Sequence, residues 1–508
     1  MKKRGLKPDS HTYLILLRGL SFHAHLSQSL GKALSIYHSM SGPKTKVPPT
    51  IMHTNAILRV CSRAMDLDSM WDIVSKLPER GPQSPNAWTY TTLLNTLRLN
   101  ALTNAPSSET AGDLARRREQ TVIEGRQLWD LIVRRWRAGD VALDEELVTA
   151  MGRLLLVGAR PRDWDDVLSL LQQSMNLPRL VPRLGTAARG EDPAVPTIRA
   201  PATPVDMKND TADTPRHEHD EPQIGSEFDV FATAGQSRAQ VMALSRRNSH
   251  VYAVPSNSVL SLVLDACLKT ATTSAAVDYW NLLTSPDSYA VRPDLDNANM
   301  LLRVHRQARS WEAALSVVTD DFPRWGLEPQ PKTIRLAVTA CTRDTRNAAL
   351  ALEAAGKLLD VASNRLQDPD LRSMCLYAEL AGRSGDSRLI GRAMERLEGQ
   401  LSRVRSFLVL GGKSNGGLVS QAEKDDGVLL GRAMISCCDK VLELRPGRGG
   451  LESEEDKEKW TRRRSQSAGW VTNMHKEEER RRRRNKFEAE QRERENASGT
   501  KLQDVRAR

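Results

Sequence analysis

Apolar residues recur along most of this chain three and four apart, the spacing of one buried helical face. In "SNSVLSLVLDACLK" they fall at Val259, Leu262, Val263 and Ala266. Segments of this kind return along the chain, each after a short lead-in holding Pro or Leu and a polar residue. They read "GLKPDSHTYLILL" from Gly5, "PPTIMHTNAILRVC" from Pro48, "SPNAWTYTTLLNTL" from Ser84 and "ALDEELVTAMGRLL" from Ala142. Three more follow: "RPDLDNANMLLRVH" from Arg292, "EPQPKTIRLAVTAC" from Glu328 and "DPDLRSMCLYAEL" from Asp368. Aligned on a common point, the spacing is regular: 36 residues from Asn55 to Thr91 and from Asn299 to Arg335, 38 from Ser261 to Asn299, 40 from Arg335 to Cys375, 41 from Leu14 to Asn55. Two intervals are longer. Thr91 to Thr149 spans 58 residues, through an insertion around "NALTNAPSSETAGD", and Thr149 to Ser261 spans 112. Between these segments lie alanine-bearing second helices: "KALSIYHSM", "AAVDYWNLL", "WEAALSVV" and "LEAAGKLL". Each unit is thus a helical hairpin. One hairpin cannot bury its own apolar faces, whereas stacked neighbours can. The predicted fold is all-α, an α-solenoid of stacked helical hairpins with a disordered linker and a charged C-terminal helix.

Patterning also divides the chain. Residues 10–175 and 251–405 carry the repeats. Residues 176–250, rich in Pro, Ala, Thr and mixed charge, are too poor in apolar surface to order themselves and read as a disordered linker. Residues 406–451 hold a Gly-rich loop and one amphipathic helix, "DGVLLGRAMISCCDKVLEL". Residues 452–508 are almost all charge, and Glu and Arg three or four apart there support a solvated helix. Residues 1–9 read as the last strip of a repeat whose helices would precede Met1, so a truncated N-terminus is expected. Composition adds little. Aromatics are scarce at 5%, and the formal charge of +11 permits an anionic partner without requiring one. No apolar run approaches the roughly eighteen residues of a membrane span.

The units resemble pentatricopeptide repeats. "GLKPDSHTY" carries the junction between two such repeats, and the helices follow the pattern V-T-Y-N-x-L-I-x-x-x-C, x-A-x-x-x-F-x-x-M, G-x-x-P-D. Tetratricopeptide repeats have a similar period, but their W-x-x-L-G-x-x-Y helix is not found. The resemblance implies a protein that binds single-stranded RNA at about one base per repeat. The fifth residue of the first helix and the last residue of the repeat would meet the base edge. Carried onto this chain, Asn55 with Asn86 resembles a pyrimidine reader, and Thr91 with Asp144 and Ser261 with Asp294 resemble guanine readers. Asn299 with Gln330 is ambiguous, and Thr149 has no clear partner before the linker. Leu14 with Thr50, Arg335 with Asp370, and Cys375 depart from the pattern. At the second residue, Met52 and Trp88 suit packing beside a base; His11, Ser258, Asp296 and Arg372 do not. The resemblance also implies mitochondria and a role in RNA processing, stability or translation. A structural or assembly component of the mitochondrial small ribosomal subunit is the alternative.

No catalytic constellation is legible, so no enzyme activity, metal or cofactor is expected. Neither a CxxC pair nor a phosphate loop occurs. His217 and His219 in "RHEHDE" read as a polar tract. Cys61, Cys267 and Cys341 share one repeat position and read as small buried hydrophobes. Arg480, Arg481, Arg482, Arg483 and Arg484 form the densest basic run. It is a candidate contact for phosphate or ribosomal RNA, and Glu477, Glu478 and Glu479 directly precede it.

Overall fold

A computed structural model describes residues 8–23, 26–40, 47–103, 110–186, 189, 228, 252–344, 347–410, 412–414, 416–444, 453–476, 479, 480 and 483. Apart from one isolated bridge, Gly412 with Leu418, the regular structure among these residues is helical. The chain divides into two compact units, Met1–Leu301 and Leu302–Arg508.

Unit 1 holds α1 (Ser10–Ser21), α2 (Leu26–Met40), α3 (Ile51–Ala64), α4 (Leu67–Ser75), α5 (Ala87–Thr103), α6 (Ala111–Arg137), α7 (Glu145–Leu155), α8 (Pro161–Met175), α9 (Asn257–Lys269) and α10 (Thr273–Thr284). It ends inside α11 (Leu295–Ala308). Odd-numbered helices are the first helices of hairpins. They stack α1 on α3, α3 on α5 and α5 on α7, and each packs on its own second helix. Polar residues start them: Asp9 accepts from Thr12 N–H and Asp144 from Leu147 N–H, both at 2.8 Å.

The 112-residue interval does not interrupt the stack. α9 packs on both α7 and α8. Gly152 makes that approach possible: a Cβ there would lie 2.4 Å from Leu262 Cδ2. Part of the predicted linker is also ordered, contrary to expectation. Asp165, buried on α8, takes Arg179, Arg189 and the Leu184 N–H. Leu180 N–H donates to the Tyr279 hydroxyl at 2.9 Å. Phe228 is buried, with Arg126 5.3 Å above its ring. Composition missed this because buried ion pairs and a few isolated apolar residues, Leu177, Val181 and Phe228, hold the segment rather than a periodic apolar face. The remaining residues of 190–250 lie outside the described ones.

Unit 2 begins within α11 and holds α12, α13 (Pro331–Arg343), α14 (Ala348–Arg365), α15 (Leu371–Arg383), α16 (Ser387–Leu410) and α17 (Gln421–Glu443). α12 runs as Trp311–Ser316, a π turn over Val317–Asp321, and Phe322–Trp325. α13 and α14 form one hairpin and α15 and α16 the next; α15 stacks on α13 and α17 on α15. α18 spans 454–476. It corrects the expectation of a solvated tail. Trp460 is buried, Trp470 and Val471 close over Gly431, and Arg463 pairs with Glu398 at 3.2 Å. α17 and α18 thus make a further hairpin. Charge dominates the composition of α18 and masks its few docking residues.

Candidate nucleic-acid interface

Each of the eight positions aligned in the sequence is the fifth residue of its helix. Leu14, Asn55, Thr91, Thr149, Ser261, Asn299, Arg335 and Cys375 stand fifth in α1, α3, α5, α7, α9, α11, α13 and α15. The partner residues all stand immediately before a first helix, as its N-cap. Asn86 and Asp294 show this through side chains that accept from Thr89 N–H (3.1 Å) and Asn297 N–H (2.8 Å). Their short polar side chains thus serve helix initiation. For Thr149 the equivalent position, the N-cap of the next stacked first helix, is Ser256. Ser256 is the N-cap of α9, which packs on α7, and its hydroxyl donates to Glu145. Local pattern could not reveal this correspondence. Thr149 and Ser256 are 107 residues apart, and only tertiary packing brings their helices together.

The pairs differ in geometry. Asn55 Nδ2 donates to Asn86 Oδ1 at 3.2 Å, so these two side chains meet directly. Asn86 is exposed and Asn55 partly so. Ser261 and Asp294 are joined through Asn297, whose Nδ2 donates to Ser261 Oγ at 2.7 Å. Asp144 is exposed, and the Thr91 hydroxyl oxygen is buried with no hydrogen-bond partner. Thr149 is 5% exposed, with its hydroxyl turned back to Glu146 O at 3.2 Å. Asn299 is also buried, and Gln330 is an exposed N-cap in the other unit. Arg335 and Asp370 close on each other as a two-pronged ion pair, Nε lying 2.8 and 3.0 Å from the carboxylate oxygens. That carboxylate holds the Arg335 guanidinium above its ordinary pKa, chiefly through the hydrogen bond. Leu14 and Cys375 are buried. Met52 and Trp88 are 53% and 55% exposed, large apolar side chains one turn before Asn55 and Thr91.

Farther along the first helices stands a set of cations not singled out in the sequence. Arg18, Arg59 and Arg153 are ninth residues and Arg98 and Arg306 twelfth residues of their helices. Burial first, and then Arg153, push the Arg98 guanidinium below its ordinary pKa. In unit 2, burial, then Arg343 and Arg303, do the same to Arg306. Arg98 and Arg306 each leave a buried Nε–H without a partner. Like charges gathered around an unmet donor favour an oxyanion. Only the repeat register, applied beyond the fifth position, could have found them.

Of the basic run, Arg480 and Arg483 are exposed, and Arg483 lies 3.7 Å from Glu479. Arg481, Arg482 and Arg484 lie outside the described residues, as do His217 and His219. Among the described residues no group of three or more His, Cys, Asp or Glu is placed to hold a metal, and no helix is long and apolar enough to cross a membrane. All six cysteines are buried and free, and burial pushes the Cys61 and Cys341 thiols up to about 12.

No family model and no curated protein matches this chain. Among solved structures it is similar to the pentatricopeptide repeat protein PPR10 in complex with an 18-nt psaJ RNA element, with a TM-score of 0.37 and 15% identity over 92% of this chain and 53% of that one. It is also similar to PPR10 from maize, with a TM-score of 0.22 and 13% identity over 94% of this chain and 65% of that one. The chain therefore spans about half the length of the first of these.

Proposed function

We propose that this chain binds single-stranded RNA, without catalysis, and acts in mitochondrial RNA processing, stability or translation. One observation carries the RNA reading. At Asn55/Asn86 and at Ser261/Asp294, polar side chains from consecutive first helices are joined into a partly exposed edge. Such an edge can hydrogen-bond an unstacked base. Met52 and Trp88 offer apolar surface beside it, and the clusters at Arg98 and Arg306 offer charge for the backbone. At Thr91 with Asp144 only the carboxylate is exposed, the Thr91 hydroxyl being buried. Asn55→Ala with Thr91→Ala is expected to weaken a selected RNA by about tenfold or more against a random one. Equal loss on both, measured by titration, would overturn base reading.

A second reading rests on a different observation. Arg335 and Asp370 satisfy each other, while Leu14 and Cys375 are buried, so several hairpins present no base-reading edge. A scaffold in the mitochondrial small ribosomal subunit would not need one. Crosslinking in cells with sequencing of the attached RNA separates the two. Discrete sites in mitochondrial messages or precursors support the first, and dominant small-subunit ribosomal RNA supports the second.

A further inference from the structure

The third residue of most first helices is polar, although it is buried: His53, Thr89, Asn297, Thr333 and Ser373 are each at most 1% exposed. A polar side chain is costly in that place unless it is fully bonded. Thr89 accepts from Asn86 N–H at 3.2 Å, and its one hydroxyl proton faces Asn55 Oδ1 at 2.7 Å, the shorter of two acceptor contacts, with Asn86 Oδ1 at 3.0 Å. Thr89 N–H in turn donates to Asn86 Oδ1. Thr89 thus bonds both members of a candidate pair. Asn297 does the same for the other pair: its Oδ1 accepts from Asp294 N–H at 3.1 Å, and its Nδ2 donates to Ser261 Oγ and to Asn257 O.

We propose that Thr89 and Asn297 are positioning residues that set which hydrogen-bonding groups the pairs Asn55/Asn86 and Ser261/Asp294 turn towards a base. An amide has one acceptor and two donors, and a hydroxyl has one donor. With Oδ1 of Asn55 held by Thr89 and Oδ1 of Asn86 held by the Thr89 N–H and Asn55, both amides turn spare N–H groups outward. A base edge rich in acceptors suits them. Because Ser261 Oγ accepts from Asn297, its own proton remains to be donated, beside the Asp294 carboxylate. That edge, one donor with an anionic acceptor, suits adjacent base N–H groups such as those of guanine. The third residue touches no base and acts through the pair.

This inference rests on base reading, and the experiment keeps the two apart. The full chain and its variants are used to select from a randomised single-stranded RNA pool, and the best sequence is titrated against its single-base variants. Thr89→Val keeps the shape and removes the hydroxyl. It is expected to lower the preference at one base by about tenfold, at the same base that Asn55→Ala affects, with other positions unchanged. Thr89→Ser is expected to restore it. If Asn55→Ala alters that base and a folded Thr89→Val does not, positioning is overturned and base reading stands. If no position responds to Asn55→Ala, base reading fails and positioning falls with it. Should Thr89→Val melt early, Asn297→Leu decides the question at Ser261 by the same readout.

Discussion

At the eleventh residue of the first helices the chain carries Leu20, Cys61, Leu97, Leu155, Cys267, His305, Cys341 and Ala381. His305 is the one titratable imidazole in a row of apolar or thiol side chains, and it is 7% exposed. Burial pushes its pKa down from 6.5 to about 4. The folded chain therefore keeps the ring neutral where the unfolded chain protonates it. Its stability is complete above about pH 6.5 and falls as the pH drops towards 4. The slope is at most about 1.4 kcal/mol per pH unit. Thermal melts between about pH 7 and pH 4.5, which cover most of the fall, should show a smaller loss for His305→Cys, which copies the neighbouring repeats; parallel losses would exclude His305 as the source. The shared cysteine position was legible in the sequence. The hydrogen bonds of Thr89 and Asn297 were not, because they join residues 34 and 36 apart across two helices.

At the scale of elements, Gly152 decides how α7 meets α9. A β-branched side chain there would strike Leu262, so Gly152→Val is expected to cost about 1–3 kcal/mol in denaturant unfolding. Adding Leu262→Ala should recover part of that loss, because the two positions share one space. Independent, additive losses would show that the clash with Leu262 is not what strains the variant. Helix starts were readable from the sequence, since Asp, Asn, Thr and Ser caps act within three residues of themselves. The docking of α18 was not, because it depends on Trp460, Trp470 and Val471 finding glycine-lined gaps in other helices.

For the whole molecule, the formal charge of +11 states only an average. The structure gathers part of it at Arg98 and Arg153 in unit 1 and at Arg303, Arg306 and Arg343 in unit 2. If these meet phosphates, Arg98→Gln with Arg153→Gln should weaken all RNA sequences alike. The slope of log affinity against log salt should become shallower by about 0.7 for each phosphate no longer neutralised. Thermal stability should not fall, because the change removes like-charge repulsion and an unmet buried donor. An unchanged salt slope would show that the phosphates are held elsewhere.

By itself the sequence determined the helical hairpins, their period and the fifth-position register, because caps and apolar spacing act over a few residues. Tertiary structure alone decided the continuity of α7 with α9, the contact of the α9 N-cap Ser256 with Glu145 at the start of α7, the ordered edge of the insertion and the Arg335–Asp370 ion pair. Each depends on residues far apart in sequence meeting in the fold, where packing rather than local preference sets the outcome.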